Sequence, residues 1–386
     1  MSDSAIRDLL DLLAISGRPG DEGRVAEHLR TLLISLGVAV DCIFQDNAHR
    51  QSEYGGACGN LIVRLDGHGR GVRRLFSAHM DTVPGCVGAI AALRGTRIVN
   101  TATDTALGGD NRTGCACVLQ VARALLERKG DHLPTTLVFF VQEEVGLIGS
   151  RGLDVSKLGE PKPTVGFNFD GYHADRFLTA VTGTQRFTID IEGIAAHSGM
   201  NPEEGVSAAL IAADVLAELE RTGWHGVIVK PEGEGRANVG ILRGGTGSNV
   251  VMPALHILAE ARSHDPRFRA SIIAAWQDAF QRSATQRRNH EGKLGTFRFG
   301  RGPTYEAYAL PDNAPVVRMA IAAAERIGLK PQLISDYGGN DANWLAGHGI
   351  PAITIGCGQR HVHMPAEQID LGDFLRACEL ARALAV

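Results

Sequence analysis

The chain has 386 residues, 44% hydrophobic and 21% charged, a composition that excludes disorder and coiled coil and supports large buried cores. Its length exceeds one ordinary domain, so two are expected. Lys and Arg number 39 against 43 Asp and Glu, aromatic residues are 5%, and no basic block interrupts the chain, which argues against a nucleic-acid partner.

Val25, Leu29, Leu32, Leu33 and Leu36 recur at helical spacing, with Asp21 after Pro19-Gly20 as the expected N-cap. Leu61–Leu65 and Leu75–Ala78 are short apolar runs that suit strands, and a helix is predicted over 113–128. Thr135–Val141 and Thr164–Phe169 are continuous β-branched and aromatic runs. Continuous apolar strands interleaved with helices predict an α/β fold, with a mostly parallel, doubly wound sheet buried on both faces.

The middle of the chain has a different pattern. Phe187–Ile191 alternates as a half-exposed strand does, a helix is predicted over 205–221, and Ala237–Leu242 and Leu255–Ala261 are further strands. A second helix follows over 267–282. Two helices on a mostly antiparallel sheet make a small α+β unit. After about Gly302 the first pattern returns, with helix 314–327, strand 332–336, helix 340–347, strand 351–356 and helix 370–384. The expected organisation is a discontinuous catalytic domain over 1–183 and 301–386, split by an inserted domain over 184–300.

Seven cysteines in a chain this long lack the density of a disulfide scaffold, which points to a reducing compartment. The first residues show no basic segment followed by an apolar run. The apolar stretch from Leu32 to Val40 is too short to span a bilayer. A cytoplasmic protein with no membrane partner is expected.

The acids and histidines carry the chemical information. His79 and Asp81 follow the strand at 75–78, Glu143 and Glu144 follow the run ending at Val141, and Asp170 ends the strand at 165–169. In a doubly wound sheet the carboxyl ends of the strands open onto one edge, where ligands bind. Asp110 lies in the glycine-rich loop 108–114, and His363 lies after the late strand. Carboxylates gathered at one edge repel one another unless cations neutralise them, and imidazole with carboxylate suits zinc or its divalent neighbours. The loop at 108–114 lacks the Gly-Lys-Ser/Thr ending of a phosphate cradle. Cys115 and Cys117 read as core residues.

Five strings in order resemble the M20 metallopeptidases: S-A-H-M-D at 77–81, G-G-D-N-R-T-G at 108–114, Q-E-E-V-G at 142–146, A-A-H-S-G-M-N-P at 195–202 and H-M-P-A-E at 363–367. N-F-D-G at 168–171 and G-G-N-D-A-N at 338–343 resemble the peptidase T-like branch. The resemblance implies two divalent ions, zinc with cobalt or manganese as alternatives. His79, Asp110 and Asp170 would hold one, and Asp110, Glu144 and His363 the other. It implies Glu143 as general base toward a metal-activated water, and Asp81 as the carboxylate that orients His79. It also implies a cis peptide after Asp110, and a lid or dimerisation role for the inserted domain over 184–300. Substrate contacts are implied for His197, Asn249, Arg262, Gly338 and Gly339, with Glu367 structural. His361 competes with His363 as a ligand, and the M-P-x-E string after His363 favours the latter.

The implied activity is that of an exopeptidase on short peptides, like a tripeptide aminopeptidase, acting as monomer or homodimer. An N-acyl-amino-acid deacylase or carboxypeptidase uses the same chemistry. A non-catalytic metal-binding protein leaves Glu143 without a purpose, and a phosphoesterase lacks a basic cluster near the acids.

Overall fold

The computed structural model describes residues 2–284 and 286–386. The chain divides into two compact units. The first runs to Ala180 and resumes over Ala309–Asp336 and Asn340–Val386; the second comprises Val181–Tyr308 and Tyr337–Gly339.

The first unit is built on a sheet whose middle strands are Thr135–Phe140, Arg74–His79, Val165–Phe169 and Ala352–Ile355, in that spatial order. These four pair in parallel. Leu61–Leu65 and then Ile43–Gln45 extend the sheet antiparallel on one side, and Arg176–Val181 pairs antiparallel with Ala352–Ile355 on the other. The apolar runs are continuous because both faces are covered: every residue of Arg74–His79, Thr135–Phe140 and Val165–Phe169 is buried.

The helix Gly109–Glu127 crosses this sheet closely. A Cβ at Gly114 would meet the Phe169 carbonyl oxygen at 2.2 Å and the Ala78 Cβ at 2.9 Å, so only glycine permits the approach. That helix brings Cys115 and Cys117 into the core, fully buried.

A small antiparallel sheet, absent from the sequence reading, joins Ala91–Arg94, Arg97–Asn100, Gln368–Asp370 and Gln359–Arg360. These segments are two to four residues long, too short to show a period. The sheet matters because its hairpin Gln359–Asp370 carries His363 and Glu367.

The second unit is a five-stranded antiparallel sheet in the order Gly226–Lys230, Gly233–Gly244, Ala254–Ser263, Gly183–Glu192 and Thr296–Tyr305, with helices Ala208–Arg221 and Pro266–Ala284. Phe187, Ile189 and Ile191 are buried against Trp276 and Phe280, while Thr188 and Asp190 between them are half-buried. The last strand was obscured in the sequence by Gly302 and Pro303. A register shift between Arg301 and Thr304 absorbs both, at a sheet edge where proline is tolerated. The boundary expected at 300 therefore falls inside this strand.

Two local readings need correction. The helix begins at Gly23 with Glu22, not Asp21, at the N-cap position, and Glu22 makes no side-chain cap. Its carboxylate is used elsewhere. His79 is the last residue of its strand rather than the first after it. Among the described residues no helix is long and apolar enough to cross a membrane.

Candidate metal centre

The sheet register explains why distant residues meet. His79 stands opposite Phe140, and Ser77 opposite Asn168, so the carboxyl ends of three parallel strands are level. His79 ends one strand, Glu143 and Glu144 follow the second, and Asp170 follows the third. Asp110 joins them from the start of Gly109–Glu127, where Asp110 and Asn111 leave helical geometry and the peptide between them is cis.

Asp110 sits at the middle of the cluster. Its Oδ1 lies 3.2 Å from His79 Nε2, and its Oδ2 lies 3.3 Å from His363 Nε2. Asp170 Oδ2 is 3.9 Å from the same His79 nitrogen, and Glu144 Oε1 is 2.9 Å from the same His363 nitrogen. Donor atoms of His79, Asp110 and Asp170 lie within 4.8 Å of one another, and so do those of Asp110, Glu144 and His363. The two groups share Asp110. A third set within the same distance joins His79, Glu143 and Glu144, so the Glu143 carboxylate also borders the centre. His361 joins none of these groups among the described residues.

The surroundings hold the donors in place. Asp81 is fully buried; its Oδ1 lies 3.3 Å from His79 Nδ1 and accepts the Glu143 amide at 3.0 Å, and its Oδ2 accepts the Glu144 amide at 3.1 Å. Glu367, buried, accepts amides from Leu107, Gly108 and Asp110 and so fixes the loop that presents Asp110. Gln359 Nε2 donates to Asp170 Oδ1 at 3.2 Å and to Asn111 Oδ1 at 3.1 Å.

Electrostatics show what the cluster needs. Burial drives Glu143 and Asp170 far above the usual carboxylate range and Glu144 to about 7. Burial would lower His79, but hydrogen bonds to Asp110 and Asp81 raise it well above an ordinary imidazole. Hydrogen bonds to Asp110 and then Glu144 carry His363 to about 10. Carboxylates that retain protons, and imidazoles that gain them, signal crowded negative charge lacking a counter-charge. Divalent cations supply that charge, and a set of imidazole and carboxylate donors suits zinc, cobalt or manganese. The residues fit the group.

A family model described as "Peptidase family M20/M25/M40" matches residues 75–386. The chain belongs to this family. As an M20 peptidase it is a hydrolase of peptide or amide bonds. An uncharacterized protein of Bacillus subtilis (strain 168), YqjE, is 29% identical over 98% of this chain and 96% of its own length. The crystal structure of aminopeptidase PepT from Bacillus cereus ATCC 10987 is 30% identical, with a TM-score of 0.82, and the alignment covers 100% of this chain and 98% of that one. A tripeptidase from Staphylococcus aureus subsp. aureus Mu50 has the same fold at 24% identity, with a TM-score of 0.86 over 100% and 97% of the two chains. These neighbours support the peptidase T-like branch of the M20 family.

The remaining expected residues of this M20 peptidase lie in its second unit. His197 bridges Val250, and the Ser198 amide donates to the Asn249 carbonyl at 2.9 Å, so His197 and Asn249 are neighbours, both exposed. His197 Nδ1 accepts amides from Gly199 and Met200, which leaves Nε2 as the N–H of the neutral ring. Arg262 Nε and Nη2 donate to Glu260, two residues away on the same strand, and Nη1 donates to the Tyr337 carbonyl at 3.1 Å. The fork is thus occupied within the unit and steadies the segment leading to Gly338. Gly339 packs where a Cβ would meet the Tyr305 hydroxyl at 2.0 Å.

Sequence reasoning missed Gln359, Glu22 and Asp341. Asp341 is buried, lies in the G-G-N-D-A-N string, and is raised to about 7 by burial. That string was the one available signal for it. No local signal marked the other two, because each acts on a segment far away in the chain.

Proposed function

We propose that this protein is a dinuclear metal-dependent exopeptidase that hydrolyses short peptides, in the manner of a tripeptide aminopeptidase. One observation carries the reading: the two oxygens of Asp110 face two different imidazoles, each with a further carboxylate beside it. His79, Asp110 and Asp170 would hold one ion, and Asp110, Glu144 and His363 would hold the other. Zinc fits best, with cobalt and manganese accepted by the same donors. Such ions, when bound, polarise a carbonyl and make a nearby water more acidic.

The chain's own residues do the rest. Glu143 takes a proton from the attacking water on its carboxylate and returns it to the leaving amine. Its half-buried position and its adjacency to His79 and Glu144, one from each donor group, support that role. Asp81 keeps His79 in the tautomer that turns Nε2 toward Asp110, because Nδ1 faces Asp81. In the second unit, His197, Asn249, Arg262 and the Gly338–Gly339 backbone bind the substrate. The Nε2–H of His197 suits an oxygen that gains negative charge. That unit, 184–300 in the sequence reading, serves as a lid.

The protein works in the cytoplasm, a reading supported by seven cysteines that are all free thiols. The aminopeptidase PepT likeness over the whole chain favours peptides with a free amino terminus. The test is a side-by-side assay of tripeptides, N-acetylated amino acids and C-terminally amidated peptides with the zinc-loaded protein. Tripeptides are expected to be cleaved fastest. Preference for the N-acetylated substrates would instead establish a deacylase.

A further inference from the structure

Glu22 is fully buried and stands at the N-cap position of the helix Gly23–Ser35, yet its side chain does not cap that helix. Its Oε1 turns away and accepts two amides, from Gly20 at 3.0 Å and from Gln142 at 3.0 Å. Its Oε2 is buried without a hydrogen-bond partner among the described residues. A carboxylate buried this way is costly. A serine or asparagine would cap the helix without that cost.

The partner explains the choice. Gln142 immediately precedes Glu143 and Glu144, and its φ of +54° lies in the left-handed region, which a glutamine adopts only when held. Its side chain is held as well, with Nε2 donating to the Gly55 carbonyl at 2.7 Å and Oε1 accepting from Ser52. The next two amides, of Glu143 and Glu144, go to the two oxygens of Asp81. Three consecutive amides are therefore gripped by two buried carboxylates. Asp81 follows the strand ending at His79; Glu22 comes from a helix that precedes the family match at 75–386.

We infer that Glu22 is a positioning residue, which through the Gln142 amide fixes the turn that aims Glu143 and Glu144 at the metal centre. The inference rests on the reading of that centre given above. Glu22 belongs to none of the donor groups of the centre among the described residues. It sets where the next two carboxylates point, as partners of ligands do.

Two variants separate this role from simple support of the fold. Glu22→Gln keeps an oxygen that accepts both amides and replaces only the oxygen without a partner. Glu22→Ala removes the acceptor. Leu29→Ala, a buried apolar truncation on the same helix, controls for lost stability. Three readouts are taken on the full-length chain: hydrogen exchange of the 142–147 segment, zinc affinity by chelator competition, and kcat and KM on a tripeptide.

In Glu22→Ala the 142–147 amides are expected to exchange at least tenfold faster. Zinc affinity is expected to fall about 10- to 100-fold, and kcat to fall with KM little changed. Glu22→Gln is expected to restore all three to within a few-fold of the parent. Leu29→Ala is expected to lower the melting temperature and leave 142–147 exchange and zinc affinity in place. If Glu22→Ala matches the parent in exchange and zinc affinity, or if Leu29→Ala at equal melting temperature reproduces its losses, the positioning role is wrong and the proposed function stands. A parent that binds two zinc ions but cleaves no amide overturns the proposed function, while exchange and affinity still decide the role of Glu22. A parent that binds no zinc overturns both.

Discussion

Asp81 Oδ1 lies 3.3 Å from His79 Nδ1, with both side chains buried, and the same carboxylate accepts the amides that present Glu143 and Glu144. One residue thus orients an imidazole on one strand, with its backbone carbonyl 3.0 Å from Nδ1 beside the carboxylate, and its side chain orients the turn after the neighbouring strand. Asp81→Asn would keep an oxygen for one of these partners and lose the charge that favours the required tautomer of His79. Metal affinity or kcat/KM is expected to fall about 10- to 100-fold. Chelator competition and steady-state kinetics measure the two, and an unchanged variant would show that Asp81 only fills space.

Glu143→Gln removes the proton acceptor while keeping shape and amide contacts. The loss in kcat is expected to be about 10²- to 10⁴-fold, with both ions retained by metal analysis. Full activity would reassign the base. Loss of an ion would instead make Glu143 a ligand, a role its place in the group with His79 and Glu144 makes geometrically accessible.

Much of this centre is legible in the sequence because several of its donors sit at boundaries that the apolar runs mark. His79 ends such a run, Glu143-Glu144 and Asp170 follow two others, and the parallel register brings those ends level. Asp110 is legible only through its motif, since its loop has no period. What was not legible depends on contacts between segments far apart. Glu22 meets Gln142 across 120 positions, and Gln359 meets Asp170 across 189. The hairpin that carries His363 uses strands too short to announce themselves. The second unit's last strand was hidden by Gly302 and Pro303, which the bulge accommodates. The Glu260 partner of Arg262 was not legible either, because a salt bridge between residues two apart on a strand leaves no pattern in composition.

The metal-free protein is expected to lose stability as pH rises. Burial holds Glu144 at about 7, above its usual 4.5, and hydrogen bonds to Asp110 and Glu144 hold His363 at about 10, above its usual 6.5. In both cases the folded chain keeps a proton that the unfolded chain releases. The stabilisation is complete below the unfolded values and disappears as pH rises through the folded ones. Asp110 is held low by hydrogen bonds from His363 and His79 that outweigh burial, so it opposes this trend only in strong acid. In chelator, melting temperature should fall between about pH 5 and pH 10, and cations should flatten the curve because they replace those protons. A metal-free melting temperature that climbs over this range would contradict the charge balance described for the centre.

Ligand removal should distinguish shared from single donors. His363→Ala is expected to lose one ion and keep the one held by His79 and Asp170. Asp170→Ala is expected to do the reverse. Elemental analysis of each purified variant counts the ions, and equal losses in both would mean that the two sites do not fill independently.

The shared role of Asp110 is the central claim, and anomalous diffraction from crystals of the zinc-loaded protein tests it most directly. The account predicts two zinc peaks, one contacting Asp110 Oδ1 with His79 and Asp170, the other contacting Oδ2 with Glu144 and His363. A single peak, or two peaks of which one does not touch Asp110, would contradict it.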